Sequence, residues 1–212
     1  MVEHIDSGEY QEAHYLQFSK TRLFRVAESA AGMLTWPLLW PLAKLSRRSG
    51  ILFRTMAELL SVVPYLMGTI ARYEFYRFAL DSCGKNVLIE FGCVFIYPNV
   101  RVGNNVLIGR YSIVHHCDIH DYSLIGERCT FLSGSKQHRM ERLDVPMALQ
   151  GGMKKRISVG PDSWIGSHAV VLESVAGGAV VGAGAVVTKP VEANTIVGGN
   201  PARELARRGG RA

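Results

Sequence analysis

The chain has 212 residues, 48% of them hydrophobic and 20% charged, with a formal net charge of +6. That make-up fits one folded domain with an appendage and excludes an intrinsically disordered chain. The positive charge is concentrated, since residues 16–80 hold nine Lys and Arg against three acids. These basic residues are interleaved with Leu, Trp and Met and no nucleic-acid-binding motif accompanies them, which argues against a nucleic-acid partner.

Residues 1–20 read as a polar N-terminal segment. They contain Glu3, Asp6, Glu9 and Glu12 and no apolar run, so no signal peptide is expected there. The four cysteines, Cys83, Cys93, Cys117 and Cys129, form neither a CxxC pair nor a zinc-type spacing. A reducing, cytoplasmic setting is the default expectation.

Residues 21–80 read as an apolar, basic helical region of two or three helices. Breaks are expected at Trp36-Pro37, at Trp40-Pro41 and near Ser49-Gly50, with a kink at Pro64. The longest apolar stretches, 29–43 and 59–71, are shorter than the roughly 20 residues that span a bilayer. Two readings remain for this region. One is a pair of helices lying on the inner membrane surface, anchored by Trp36, Trp40 and basic flanks. The other is a cap packed on the domain that follows or on neighbouring subunits.

From residue 84 the composition changes to Val, Ile and Gly. Apolar residues recur every six positions at Ile96, Val102, Ile108 and Val114, then at Ile119, Ile125 and Phe131. The series resumes at Val159, Ile165 and Val171, and again at Val181 and Val187. Glycine follows many of them directly, as at Gly103, Gly109, Gly126, Gly160, Gly166 and Gly182. Small or modest residues follow four positions on, including Val106, Ser112, Ser123, Cys129, Ser135, Ser163, Ala169, Val175 and Ala185. An α-helix cannot hold a period of six, and a flat strand needs no recurrent glycine. A parallel β-helix with short flat sides does both. The apolar residues are expected to point inward, with glycine supplying the corner dihedrals. Twelve residues would be expected between Val171 and Val181 where only ten are found, which places a shortened coil near Gly177-Gly178. The domain reads as 84–205, interrupted by a loop at 132–158 and followed by a basic tail, 206–212.

The stretches VRVGNNVLIGRYSIV, SGSKQHRMERLDVP, ISVGPDSWIGSHAVVL, VVGAGAVVTKPV and IVGGNPARE resemble the hexapeptide-repeat acyltransferases. The likeness is strongest to the sugar and polysaccharide O-acetyltransferases, among them galactoside and maltose acetyltransferases. The resemblance implies a mainly β fold, a left-handed parallel β-helix with an N-terminal helical region. It also implies acetyl-CoA as co-substrate, no metal, and a homotrimer with sites between prisms. The acceptor it implies is a sugar or glycan in cell-surface polysaccharide or glycolipid synthesis. The helical region 21–80 has no counterpart in the small sugar acetyltransferases.

By the same resemblance, His138 at the start of the interrupting loop is the general base that deprotonates the acceptor hydroxyl. Imidazole suits that role at neutral pH. Trp164, Ser167, Ala183, Thr188, Lys189 and Arg203 match CoA-binding positions, with Lys189 and Arg203 facing phosphates. Trp164 would either wall the acyl pocket or cover the prism. His115 and His116 are candidates for the acceptor site. His115 and His120 also have the five-residue spacing of zinc-dependent carbonic anhydrases of this fold, but the third, upstream His is missing. Arg139, Glu141, Arg142 and Asp144 would either bind a sugar or remain solvated. The rival acceptors are serine or a small amine.

Overall fold

In a computed structural model, residues 39–209, together with Val26, Ala30 and Pro37, are described. The segment 1–20 and most of 21–38 lie outside the described residues, as do 210–212. The rest forms a triangular prism of stacked parallel coils, about six turns long, matching a left-handed β-helix and preceded by helices.

Three ladders make the three sides. The first holds β1 (Ser82–Cys83), β4 (Arg101–Val102), β7 (Cys117–Ile119) and β10 (Ile157–Val159), extended by single bridges at Val175 and Val191. The second holds β2 (Leu88–Ile89), β5 (Leu107–Ile108), β8 (Leu124–Ile125), β11 (Trp164–Ile165), β13 (Val180–Val181) and β15 (Thr195–Gly198). The third holds β3 (Val94–Phe95), β6 (Ile113–Val114), β9 (Thr130–Phe131), β12 (Val170–Val171) and β14 (Val186–Val187). The domain begins slightly before residue 84. It also runs past 205, because β16 (Arg203–Arg207) returns antiparallel along β15 and takes in part of the expected tail.

The six-residue period is steric. One residue per side points into the prism, and residues such as Ile108, Phe131, Ile165, Val181 and Val187 are fully buried. Burying each such side chain contributes roughly 1.5–3 kcal/mol. The inward series starts at Ile89 and Phe95, not at Ile96, which is only half-buried. The residue two before each inward position fills the corner, and it is small: Cys93, Ser112, Ser123, Cys129, Ser163, Ala169 and Ala185 are all buried. Ser135 is not in that series, since it is exposed in the interrupting loop.

The recurrent glycines have a different cause from the one expected. Gly109, Gly126 and Gly166 do not adopt positive φ. A Cβ on Gly166 would instead lie 2.5 Å from the Ala183 nitrogen of the next coil, and one on Gly126 would lie 2.6 Å from the Ser167 nitrogen. Glycine is there because successive coils stack backbone on backbone. The positive φ falls three residues before the inward positions of the second and third sides. Asn86, Asn105 and Asn194 take it with φ of 56–57°, and so do bulkier Tyr111, Tyr122, Arg128 and His168. Asn and His adopt this conformation more readily than most residues, while Tyr and Arg are uncommon in it.

First-to-second and second-to-third corners never vary: inward residues on those sides are always six apart, as in Val102, Ile108 and Val114. All irregularity lies at the third-to-first corner. Phe95 to Val102 is seven residues, Val114 to Ile119 five, and Val171 to Val175 four. The shortened coil is therefore cut at Leu172–Ser174, not at Gly177-Gly178. Val175 is itself an inward residue that bridges Val159 and Val191.

The outward faces differ. The second side presents Leu88, Leu107, Leu124, Trp164, Val180 and Ile196, and the third Val94, Ile113, Thr130, Val170 and Val186. The first presents Ser82, Arg101, Asp118 and Ser158. Two apolar sheet faces and one polar face leave the prism with surface to cover.

Residues 39–46 are helical, so no break occurs at Trp40-Pro41; proline's fixed φ is itself close to helical. The chain then turns at Arg47–Ser49, as expected, and enters α1 (Gly50–Ser61), whose N-terminus is capped by the Ser49 hydroxyl accepting from the Leu52 N–H at 3.3 Å. Pro64 does more than kink: it separates α1 from α2 (Tyr65–Ala79). The helices cap the first coil. Tyr76 packs on Phe95 with ring centroids 4.6 Å apart, and Phe53, Phe75 and Leu80 join the prism core. Arg72, counted above among the basic residues, is fully buried. Its guanidinium donates to the carbonyls of Leu60, Val63 and Ile89, each at 2.9 Å, and so ties the end of α1 to the first coil. Burial lowers its pKa from the ordinary value, although the acceptors keep it hydrogen-bonded. Ile51, Val62, Tyr65 and Met67 remain exposed on the outer helical surface. No helix among the described residues is long and apolar enough to cross a membrane.

Candidate active site

The third-to-first corner between β9 and β10 opens into residues 132–156. The excursion is a hairpin. The Lys155 N–H donates to the Ser133 carbonyl, Met153 to Lys136, and Arg139 to Gly151, all at 2.9 Å. Its tip is fastened by Gln150, which donates to the Arg142 and Val145 carbonyls at 2.6 and 2.7 Å. Arg142 and Asp144 pair with each other, so their charges are already used within the tip. That pairing holds the Asp144 carboxyl below its ordinary range.

His138 lies exposed on the outgoing leg. Opposite it, Gly152 lets the legs approach, because a Cβ there would collide with the Gln137 carbonyl and lie 2.9 Å from the His138 Cα. The hairpin thus fixes the backbone of His138 through a glycine contact that the sequence alone does not disclose.

His115 and His116 sit at the same corner one coil earlier, between β6 and β7. Partial burial first, then the Lys154 and Arg54 charges, lower the His115 pKa; burial, Arg156, Lys154 and His115 do the same for His116. His120 follows the other end of β7, so a strand separates it from His115 and the five-residue spacing gathers no shared ligand set. Among the described residues no group of three or more His, Cys, Asp and Glu is placed to hold a metal ion. No thiol is poised as a nucleophile: burial pushes Cys83 and Cys93 up to about 12 and raises Cys117 and Cys129 as well.

The remaining predicted residues divide. Thr188 and Lys189 are exposed at the third-to-first corner, two coils beyond the hairpin. Trp164 projects from the second side and is 55% exposed, between Leu124 and Val180 on neighbouring rungs. Ser167 and Ala183 stack at the second-to-third corner, where the Ser167 hydroxyl accepts from the Glu127 N–H at 3.2 Å. Arg203 begins β16 on the second side and is exposed. In a triangular prism the third-to-first corner is opposite the second side. One chain therefore brings His138, His115, His116, Thr188 and Lys189 to one edge, and Trp164 and Arg203 to the opposite face. Sequence reasoning did not single out Tyr97 and Lys154, which join the histidines; the signal available was that each frame slip falls at the same corner.

No protein-family profile matches the chain. It is 48% identical over 160 residues to a chloramphenicol acetyltransferase of Klebsiella aerogenes, covering 66% of this chain and 67% of that protein. It is 29% identical over 183 residues to the galactoside O-acetyltransferase of Escherichia coli, covering 74% and 85%. Among solved structures, a hexapeptide-repeat acetyltransferase of Vibrio cholerae superposes with a TM-score of 0.61 at 26% identity, over 74% of this chain and 92% of that one. The same Vibrio protein has been solved with acetyl-CoA bound. Other matches are partial: the chain spans 38% of a Mycobacterium tuberculosis protein named as an acetyltransferase and 25% of the chloramphenicol acetyltransferase of Agrobacterium fabrum.

Proposed function

Because the chain belongs to the hexapeptide-repeat acyltransferases, the CoA-dependent family that includes the galactoside O-acetyltransferases, we propose that it transfers an acetyl group from acetyl-CoA to a sugar hydroxyl with His138 as general base. The neutral imidazole takes the hydroxyl proton as the oxygen attacks the thioester carbonyl. A backbone N–H stabilises the oxyanion of the tetrahedral intermediate. Collapse breaks the C–S bond, and the imidazolium returns its proton to the leaving CoA thiolate. Acylation of the enzyme is not needed, in keeping with the absence of an activated thiol among the described residues.

The observation that carries this reading is the His138 hairpin at the edge opposite the face bearing Trp164 and Arg203. The two halves meet when the hairpin of one copy lies against the second side of another. Homotrimer formation accomplishes this and covers the apolar stripe of Leu107, Leu124, Trp164 and Val180. Trp164, Ser167, Ala183, Thr188, Lys189 and Arg203 would then line the CoA groove. The exposed apolar residues of α1 and α2, with the surplus of basic residues before them, favour work at the inner membrane surface on a glycan or glycolipid precursor.

Complementation tests the shared site. His138→Ala loses the base, and Ala183→Trp blocks the groove; each alone should lower turnover by roughly 10²-fold or more. Refolded together in equal amounts, they pair an intact hairpin with an intact groove at about a quarter of interfaces. Recovery of about that fraction of wild-type turnover is expected. Two inactive variants that stay inactive together would refute a site between copies.

A further inference from the structure

The corner that takes the chain's irregularities also holds side chains that take no part in the proton transfer itself. Tyr97 lies in the long corner between Phe95 and Val102. Its ring stacks on the His116 imidazole with centroids 4.1 Å apart and planes 14° from parallel. His115 meets the same ring edge-on at 6.1 Å. Lys154, on the returning leg of the hairpin, donates from Nζ to the Tyr97 hydroxyl at 2.7 Å. Arg156 follows two residues on, and Arg54 of α1 is near enough to act electrostatically on His115.

The charges in this cluster do not balance. Two acids on these coils are already paired. Asp118 pairs with Arg156 at 2.7 Å and with Arg101 at 3.9 Å, and Glu173 pairs with Lys155. Lys154 and Arg54 have no carboxylate partner among the described residues. The Lys154 ammonium, 4.7 Å from the Tyr97 ring centroid, stands with two half-buried imidazoles and no carboxylate partner, which raises the energy of the unliganded protein. Such an arrangement is relieved when an anion enters.

The geometry of the donors narrows the anion. A planar carboxylate is best met by the planar fork of an arginine. Here the donors are a compact ammonium, a phenol and two imidazoles, carried on three separate segments and not on one planar fork. That suits a tetrahedral group with several oxygens, for which lysine is a usual point-charge partner. The position is also informative. Lys154 and His138 stand on opposite legs of one hairpin, joined by the Met153–Lys136 hydrogen bond.

We propose that Tyr97, His115, His116 and Lys154, with Arg54 at the rim, form a subsite for a phosphate group carried by the acceptor sugar. This rests on the reading that a sugar hydroxyl is presented at the His138 hairpin. The phosphate anchors the acceptor at the returning leg while the base works from the outgoing leg. Phosphate could reach the site on a nucleotide-linked or a lipid-linked sugar, and the subsite recognises what the two share.

Calorimetry on the CoA-saturated full chain tests the proposal, since filled CoA sites remove competition for phosphate. Inorganic pyrophosphate should bind once per chain. An entering anion favours the protonated imidazoles, so binding at pH 7 should take up protons, visible as different heats in two buffers of unlike ionisation enthalpy. Lys154→Ala should weaken binding roughly tenfold with an unchanged melting temperature. His115→Ala combined with His116→Ala should abolish the proton uptake. Maltose, which is neutral, should not compete. Uridine diphosphate competing with pyrophosphate, where phosphatidic acid vesicles do not, marks a nucleotide-linked acceptor; the reverse marks a lipid-linked one. No binding of pyrophosphate, or binding unchanged by Lys154→Ala, overturns the subsite. His138→Ala should leave pyrophosphate affinity untouched, so failure of the base assignment and failure of the subsite are read on separate axes.

Discussion

Gly152 offers a direct test of how the hairpin holds its histidine. An added Cβ would collide with the Gln137 carbonyl and lie 2.9 Å from the His138 Cα. Ordinary van der Waals contact begins at 3.4 Å, so Gly152→Ala must move the His138 backbone by about half an ångström, and Gln137 by more. Misplacement of a catalytic group by about 1 Å costs up to roughly 10²-fold, so kcat should fall about ten- to a hundredfold. The hairpin is largely exposed, so the stability cost should stay near 1 kcal/mol, a melting shift of about 2–4 °C. CoA affinity should change little, because none of the residues assigned to the groove lies on the hairpin. Gly151→Ala is the control. Gly151 has φ of +73° and open space around it, so alanine adds about 1 kcal/mol of backbone strain without pushing the legs apart. Steady-state kinetics, CoA titration and a thermal melt on both variants suffice. Wild-type kcat in Gly152→Ala, or equal losses in both variants, would refute the claim that this contact positions His138.

Gly166→Ala forces two coils apart and should cost about 3 kcal/mol, a melting drop of roughly 6–12 °C. Gly182→Ala, whose nearest obstacle is the Val197 carbonyl oxygen at 3.3 Å, should cost under about 1 kcal/mol, and similar melts for the two would contradict backbone-on-backbone stacking. Arg72→Met leaves the Leu60, Val63 and Ile89 carbonyls without their buried donor and should cost about 2–4 kcal/mol by urea denaturation, from roughly 1 kcal/mol or more per unsatisfied acceptor; a loss under about 1 kcal/mol would mean that the cap docks by apolar contact alone. The full chain should sediment with anionic liposomes and be released by salt, each basic residue near the surface contributing about 1 kcal/mol; a chain that stays in the supernatant leaves the helices as a cap only.

The period of six was readable because an inward apolar residue every six positions has no other use. Its phase was not readable where apolar residues adjoin: Val94, Phe95 and Ile96 each fit, and Phe95 is selected by its pairing with Val114 and its packing against Tyr76. Val175 looked like a corner residue for the same reason, since valine serves either place. Glycine marked the right positions for a different reason, because a contact between coils is invisible to a one-dimensional pattern. The histidine loop was visible as an interruption. Its hydrogen-bonded ladder was not, and the Tyr97–Lys154 contact joins residues 57 apart in the chain. The helical cap hid its strongest tie in a residue that composition assigns to the surface, Arg72.

Why insertions gather at one corner follows from the coils themselves. At the other two corners a left-handed residue, a small buried residue and a stacked glycine recur in fixed order. Adding a residue there would break the order in that coil and misalign its contacts above and below. The third-to-first corner has no such sequence, so a coil can leave and re-enter the stack there with its ladders in register. Cys117 still pairs with Ile157, and Phe131 with Val171, across the whole hairpin. Two sides of the prism are flat and apolar, and the charges of the third pair with one another, as Asp118 does with Arg101 and Arg156, so the chemistry comes from residues outside the repeat. In this chain those residues, His138, His115, His116, Tyr97 and Lys154, can accumulate at one edge only. The smooth second side opposite is left for a ligand that lies flat. A site that needs both the edge and the smooth face is then most simply completed by a second copy, because no turn of one left-handed coil brings a corner onto the side opposite it.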